Sequence, residues 1–190
     1  LILMFVMWSV FLTPRDIHVI DMRLVTIGQE KELADVPLKT TKILKVTFTS
    51  SRDFSAYAYR HQTGMVVDAY PCEWVKRDEN NDQLGLSYFL YDGAGEVGIG
   101  PPHDLRQSVP ISQVIPYHFY VSLKEWNVGS RKYDLVRRPV DLCFSLFGSG
   151  NILGLSFGQE WWGTAPWYSS NTIVIPKTSI AKAIRLGHWP

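Results

Sequence analysis

The chain has 190 residues, 46% of them hydrophobic, with 7 Trp, 9 Tyr and 9 Phe. That is enough apolar material for a full core and too much for a disordered chain. Its 19 basic and 18 acidic residues leave a net charge of +1, which gives no electrostatic footprint for nucleic acid.

Leu1 to Leu12 (LILMFVMWSVFL) carry no charge, and Thr13-Pro14-Arg15-Asp16 ends the run. Crossing about 30 Å of hydrocarbon takes about 20 helical residues, so this stretch is too short by itself. The chain starts at Leu1, so further residues are expected upstream and the run reads as the end of a longer segment. It closes on Val10-Phe11-Leu12-Thr13-Pro14, without the small residues of a signal-peptidase site. Residues 1–14 are therefore predicted to be a membrane anchor or signal core that is retained. Residues 15–190 are predicted to form one β-rich domain outside the cytoplasm, periplasmic in a Gram-negative cell. A buried first strand or helix is the competing reading of the same run.

The body reads as short strands. Ile17 to Val25 changes its apolar parity at Ile20, which a β-bulge there would reconcile. Ile43 to Thr49 sets Leu44, Val46 and Phe48 on one face against Lys45, Thr47 and Thr49 on the other, the pattern of a half-buried strand. Gly28 to Thr41 is charged and irregular, a loop or one helical turn. Phe54 to Tyr59 fits a strand or turn segment. Met65 to Tyr70 is a strand stopped by Pro71, and Leu84 to Tyr91 is another, bounded by Asn80-Asn81-Asp82 and Asp92-Gly93.

In the second half, Tyr117, Phe119, Val121 and Leu123 alternate with His118, Tyr120 and Ser122. Lys132 to Val136 is expected to pair with that strand across Asn127-Val128-Gly129-Ser130. Leu142 to Phe147, Ile152 to Phe157 and Thr172 to Ile175 complete the strands, the last of them before a short helix from Ile180 to Leu186 that ends at Gly187. Short strands at about ten-residue spacing predict a mainly β fold, an antiparallel sandwich or partly open barrel with one or two short helices.

Few motifs carry chemistry. Gly93-Ala94-Gly95-Glu96-Val97-Gly98 matches G-x-G-x-x-G, but Pro101-Pro102 forbids the helix that a pyrophosphate site requires. A glycine-rich loop joining two strands is the better reading, and no cofactor is expected. His18, His61, His103, His118 and His188 show no metal-ligand spacing, and no C-x-x-C pair occurs, so no metal is expected. His118 reads as a solvated or hydrogen-bonded strand histidine. Cys72 stands beside Glu73, which opposes formation of a reactive thiolate. In an oxidising compartment Cys72 and Cys143 can form one disulfide; in a reducing one they stay buried thiols. The polar neighbours Asp141 and Ser145 suggest that Cys143 lies on the less buried face of its strand.

The densest local feature is Trp161-Trp162-Gly163-Thr164-Ala165-Pro166-Trp167-Tyr168, preceded by Gln159-Glu160. Large aromatics on a loop can anchor a protein interface or stack on sugar rings, or fold back to cap a sandwich. Trp161, Trp162, Trp167, Tyr168, Gln159 and Glu160 are the predicted binding residues, and no catalytic set is identified. The expected function is a non-catalytic, membrane-anchored envelope domain that binds another protein, for instance as an immunity or accessory protein of a toxin or secretion system. A glycan-binding module using the same aromatic loop is the alternative, and a hydrolase with an unrecognised site comes third.

Overall fold

A computed structural model describes residues 16–51, 53–55, 58, 65–77, 86–93, 95–97, 114–128, 131–148, 150–152, 155–157 and 168–189. Residues 1–15, which hold the apolar run, lie outside the described residues. So do residues 159–167, with Gln159, Glu160, Trp161, Trp162 and Trp167.

The strands are β1 (His18–Thr26), β2 (Lys42–Ser50), β3 (Met65–Pro71), β4 (Leu86–Phe89), β5 (Tyr91–Asp92), β6 (Gly95–Glu96) and β7 (Ile115–Ser122). They continue with β8 (Lys124–Val128), β9 (Arg131–Asp134), β10 (Leu142–Gly148), β11 (Gly150–Ile152), β12 (Leu155–Phe157), β13 (Tyr168–Ser169) and β14 (Ile173–Ile175). Helix α1 (Lys177–Leu186) and β15 (His188–Trp189) follow. The fold is mainly β, built on two antiparallel sheets. One runs β15-β1-β2-β7-β5-β6; the other runs β13-β10-β3-β4, with β14 also paired to β10. Strands β8 and β9, and β11 and β12, form separate two-stranded antiparallel sheets.

Alternation decides which face of each strand is buried. Leu44, Val46 and Phe48 of β2 and Tyr117, Phe119 and Val121 of β7 turn inward and are all but fully buried. They pair across the sheet as Leu44 with Val121, Val46 with Phe119 and Phe48 with Tyr117. Val67, Ala69, Phe144 and Leu146 face them from the second sheet within one core cluster. Ring contacts cross between the layers, with Phe144 centred 5.8 Å from Phe48 and 5.0 Å from Phe119. The register of β1 on β2 shifts between Val19 and Asp21, so the bulge falls at Ile20, where the apolar parity changes.

Helix α1 starts after Pro176, whose fixed φ suits a helix entrance, and buries Ile180 and Ala183 against the core. It ends at Gly187, which adopts φ 79°, a left-handed conformation that glycine reaches without a Cβ clash.

Several elements differ from the sequence expectation. The run from Leu84 to Tyr91 is not one strand: it breaks at Leu90, so that β4 belongs to one sheet and β5 to the other. Leu90 N–H donates to Met65 O at 3.4 Å and Leu90 O accepts from Val97 N–H at 2.8 Å, which fixes the crossing. Phe54, Ser55 and Ala58 are helical rather than extended; Phe54 and Ala58 both enter the core. The partner of β9 is β8, not the Tyr117 strand. Ile152 ends β11 and Leu155–Phe157 form β12, its antiparallel partner, so the run is not one strand. A further strand, β15, follows α1 and pairs with β1. The strand β3 runs through Pro71, which sits opposite Leu142 at the strand end.

Candidate functional site

The outer face of the larger sheet is covered around Lys45, His118 and Tyr120, although its sequence pattern reads as solvent-facing. After β1 the chain makes two 3₁₀ turns, Ile27–Gln29 and Lys31–Leu33, and folds over β2, β7 and β5. Gly28 N–H donates to Lys39 O at 2.9 Å and Ile27 N–H to Thr41 O at 3.0 Å, pinning the segment at its root. Ile27 packs there with Ile43, Tyr91 and Tyr120 in a second, smaller core, flanked by Val25, Leu33 and Val36.

Two carboxylates tie this cover down. Glu30 Oε2 accepts from Lys45 Nζ at 2.7 Å and from the Tyr120 hydroxyl at 2.6 Å. Glu32 Oε2 lies 3.2 Å from the same hydroxyl. Lys45 also stands 5.3 Å from the centre of the Tyr120 ring, within cation–π range. His118, 9% exposed, stacks on Tyr91 at 5.6 Å and meets Tyr120 edge-on at 5.5 Å. Its Nε2 has no hydrogen-bond partner, the Glu32 carboxylate being 3.5 Å away, too far for a good hydrogen bond. His118 is therefore buried under the cover and not solvated, which corrects the expectation for this strand residue.

The electrostatics follow from this packing. Burial opposes ionisation of Glu30, but hydrogen bonds from Lys45 and Tyr120, aided by the Lys45 charge, hold its carboxyl below the usual glutamate value. Burial and the two carboxylates push the Tyr120 phenol far above its ordinary value, so it stays protonated. Burial first, then the Lys45 charge, lowers the His118 imidazole below its ordinary value; Glu32, Glu30 and Asp92 oppose this without reversing it. At neutral pH the cluster is a neutral imidazole and a neutral phenol held between one ammonium and two carboxylates. Such an arrangement clasps the cover to the sheet.

The cysteines lie elsewhere. Cys72 and Cys143 are joined as a disulfide between the end of β3 and the start of β10, with Cα atoms 4.9 Å apart. The bond removes Cys72 as a thiol nucleophile. Cys143 and Ser145 are both buried, at 5% and 6% exposure, which corrects the expectation of a less buried face; polar neighbours in sequence do not report what covers them. Beside the disulfide runs a groove of about 270 Å³ whose charged walls are Glu73, Arg138, Asp141 and Lys177. Asp141 accepts from the Lys177 backbone N–H at 2.7 Å, so part of that charge serves the start of α1.

Gly93 and Gly95 belong to the β5–β6 hairpin, with Tyr91 opposite Glu96 and Asp92 opposite Gly95. Gly95 has φ 140° and its N–H donates to Asp92 Oδ1 at 3.2 Å. Gly95 and Glu96 are extended strand residues, so at these described positions the backbone forms no helix start.

Of the predicted binding residues, Tyr168 alone is described, and its backbone opens β13 opposite Gly148. Among the described residues, no group of three or more His, Cys, Asp or Glu side chains could hold a metal ion. Among the same residues, no helix is long and apolar enough to cross a membrane.

The chain has no significant match among protein-family models, curated proteins or solved structures. Its own residues thus carry the functional reading. Sequence reasoning missed the clasp of Glu30, Lys45, His118 and Tyr120. The one available signal was chemical: Lys45, His118 and Tyr120 share the face of their strands opposite the core, across from a segment rich in Glu.

Proposed function

We propose that the chain is a non-catalytic domain of the cell envelope that works outside the cytoplasm by binding another protein. The observation that carries this reading is the Cys72–Cys143 disulfide. Disulfides of this structural kind persist in oxidising compartments and are rare in the cytosol. The uncharged run Leu1–Leu12 supports the same address, as an anchor at the membrane. The disulfide removes Cys72 as a thiol nucleophile. The contact surface in this reading is the loop Trp161–Tyr168 with Gln159 and Glu160, because Trp and Tyr provide large, rigid contact area.

The test uses the full chain in its native cell. Fractionation and alkylation without reductant are expected to give a membrane-associated protein with both thiols blocked. A soluble protein with reactive Cys72 and Cys143 overturns the address. Replacing Trp161, Trp162 and Trp167 together with Ala is expected to abolish cross-linking to the partner while the disulfide and circular dichroism stay unchanged. Undiminished cross-linking overturns the contact surface, and saturable Trp quenching by cell-wall sugars would transfer the loop to glycan binding.

A further inference from the structure

We propose that Cys72 is a reversible thiolation site: a small zwitterionic peptide thiol docks in the groove beside the disulfide and attacks Cys72, leaving Cys143 as the resolving thiol. The two sulfurs differ in access. Cys72 lines the groove of about 270 Å³ and is partly exposed, whereas Cys143 is 5% exposed and does not line it. They differ in setting as well. Cys72 follows the last residue of β3 and opens a 3₁₀ turn, Cys72–Arg77. Cys143 lies within β10, paired with Tyr70 of β3 on one side and with Val174 of β14 on the other. Exchange depends on which sulfur a thiolate can reach, and the reachable one is Cys72.

The exchange balances with the thiol as its sole co-reactant. The incoming thiolate bonds to Cys72 Sγ, the Cys72–Cys143 bond breaks, and Cys143 leaves as a thiolate that takes a proton from water. Return attack by Cys143 expels the peptide and restores the disulfide. Backbone contacts keep the two cysteines together meanwhile: Cys72 N–H donates to Asp141 O at 2.8 Å, and β3 pairs with β10 from Leu142–Pro71 to Gly148–Met65. The walls of the groove indicate the class of thiol. Arg138 and Lys177 offer cations, Glu73 and Asp141 carboxylates, all exposed. The side chains of Glu73, Arg138 and Lys177 form no ion pair among the described residues. Charges of both signs suit a ligand that carries ammonium and carboxylate together. The volume lies near the lower bound of ligand pockets, about 300 Å³, which suits a peptide of a few residues. The site needs the oxidised cysteine pair but neither a membrane address nor the aromatic loop, so it can fail while those stand.

The test mixes the purified, oxidised full chain with reduced glutathione, a tripeptide thiol bearing both kinds of charge. The reaction is quenched with acid before circular dichroism changes, and free thiols are blocked with N-ethylmaleimide. Peptide mass spectrometry is expected to place glutathione on Cys72 and maleimide on Cys143. Glutathione on Cys143, on both cysteines alike, or on neither until denaturant is added overturns the site. An Arg138→Gln, Lys177→Gln double variant is expected to slow the reaction with glutathione by about twofold to fivefold, the scale of exposed charge contacts. Its rate with 2-mercaptoethanol, which lacks those charges, is expected to stay unchanged. Lys177→Gln keeps the backbone N–H that donates to Asp141. Equal effects on the two thiols overturn the zwitterionic class. If the double variant does not fold, added salt is applied to the wild-type chain, where it is expected to slow glutathione more than 2-mercaptoethanol. An equal response to salt then overturns the class.

Discussion

Phe48 and Phe144 meet across the two sheets with ring centres 5.8 Å apart and both side chains fully buried. Phe48 also contacts Phe54, Tyr117 and Phe119, so it is the aromatic on which the layers converge. Truncating it to Ala loses the transfer free energy of the ring and leaves a cavity that rigid neighbours cannot fill. Phe48→Ala is expected to destabilise by about 3–5 kcal/mol, seen as a lower denaturant midpoint at unchanged slope. A loss below about 1 kcal/mol would show that the ring is not at the centre of the core.

The disulfide closes a loop across a sequence separation of 71 residues. In the chain-entropy account, removing a cross-link over a loop of that size costs about 4 kcal/mol. A Cys72→Ala, Cys143→Ala double variant is expected to unfold at a correspondingly lower denaturant concentration. Reductant is expected to weaken the wild-type chain and leave the double variant unchanged.

Glu30→Gln breaks two charge-assisted hydrogen bonds while keeping the shape of the side chain. The expected cost near neutral pH is about 1–3 kcal/mol, read as the difference in unfolding free energy from wild type. Because the Glu30 carboxyl is held below the ordinary glutamate value, its contribution is present above that value and lost as pH falls through the folded one. The two proteins are therefore expected to converge in stability below about pH 4. A pH-independent difference would mean that the loss is one of packing and not of charge.

Gly187 ends α1 at φ 79°, and its carbonyl accepts from Leu24 N–H at 2.9 Å. A side chain at that left-handed position costs about 1–2 kcal/mol. Gly187→Ala is expected to lower the melting temperature by several degrees, whereas Leu186→Ala, at an exposed position, should change it little.

What could be read from the residues were local periodicities with a single buried face. Leu44-Val46-Phe48 and Tyr117-Phe119-Val121 alternate because the core lies on one side of each strand, and the parity change at Ile20 is the bulge itself. The outer face was misread because its cover is non-local: Glu30 and Tyr120 are 90 residues apart in sequence, and alternation along a strand cannot report a segment folding back over it. The break at Leu90 was invisible for a different reason. Every residue around it favours extended backbone, and only the position of Met65 and Val97 decides that the strand changes sheet there. Residues 161–167 of the aromatic segment chosen from composition lie outside the described residues.

The crossing at Leu90 also bears on how the molecule can fail. A single short stretch of backbone is woven into both layers, so neither sheet can peel away while the other stays intact. Loosening β4 draws on β5, and through it on β7 and β2. The two layers should therefore melt as one cooperative body.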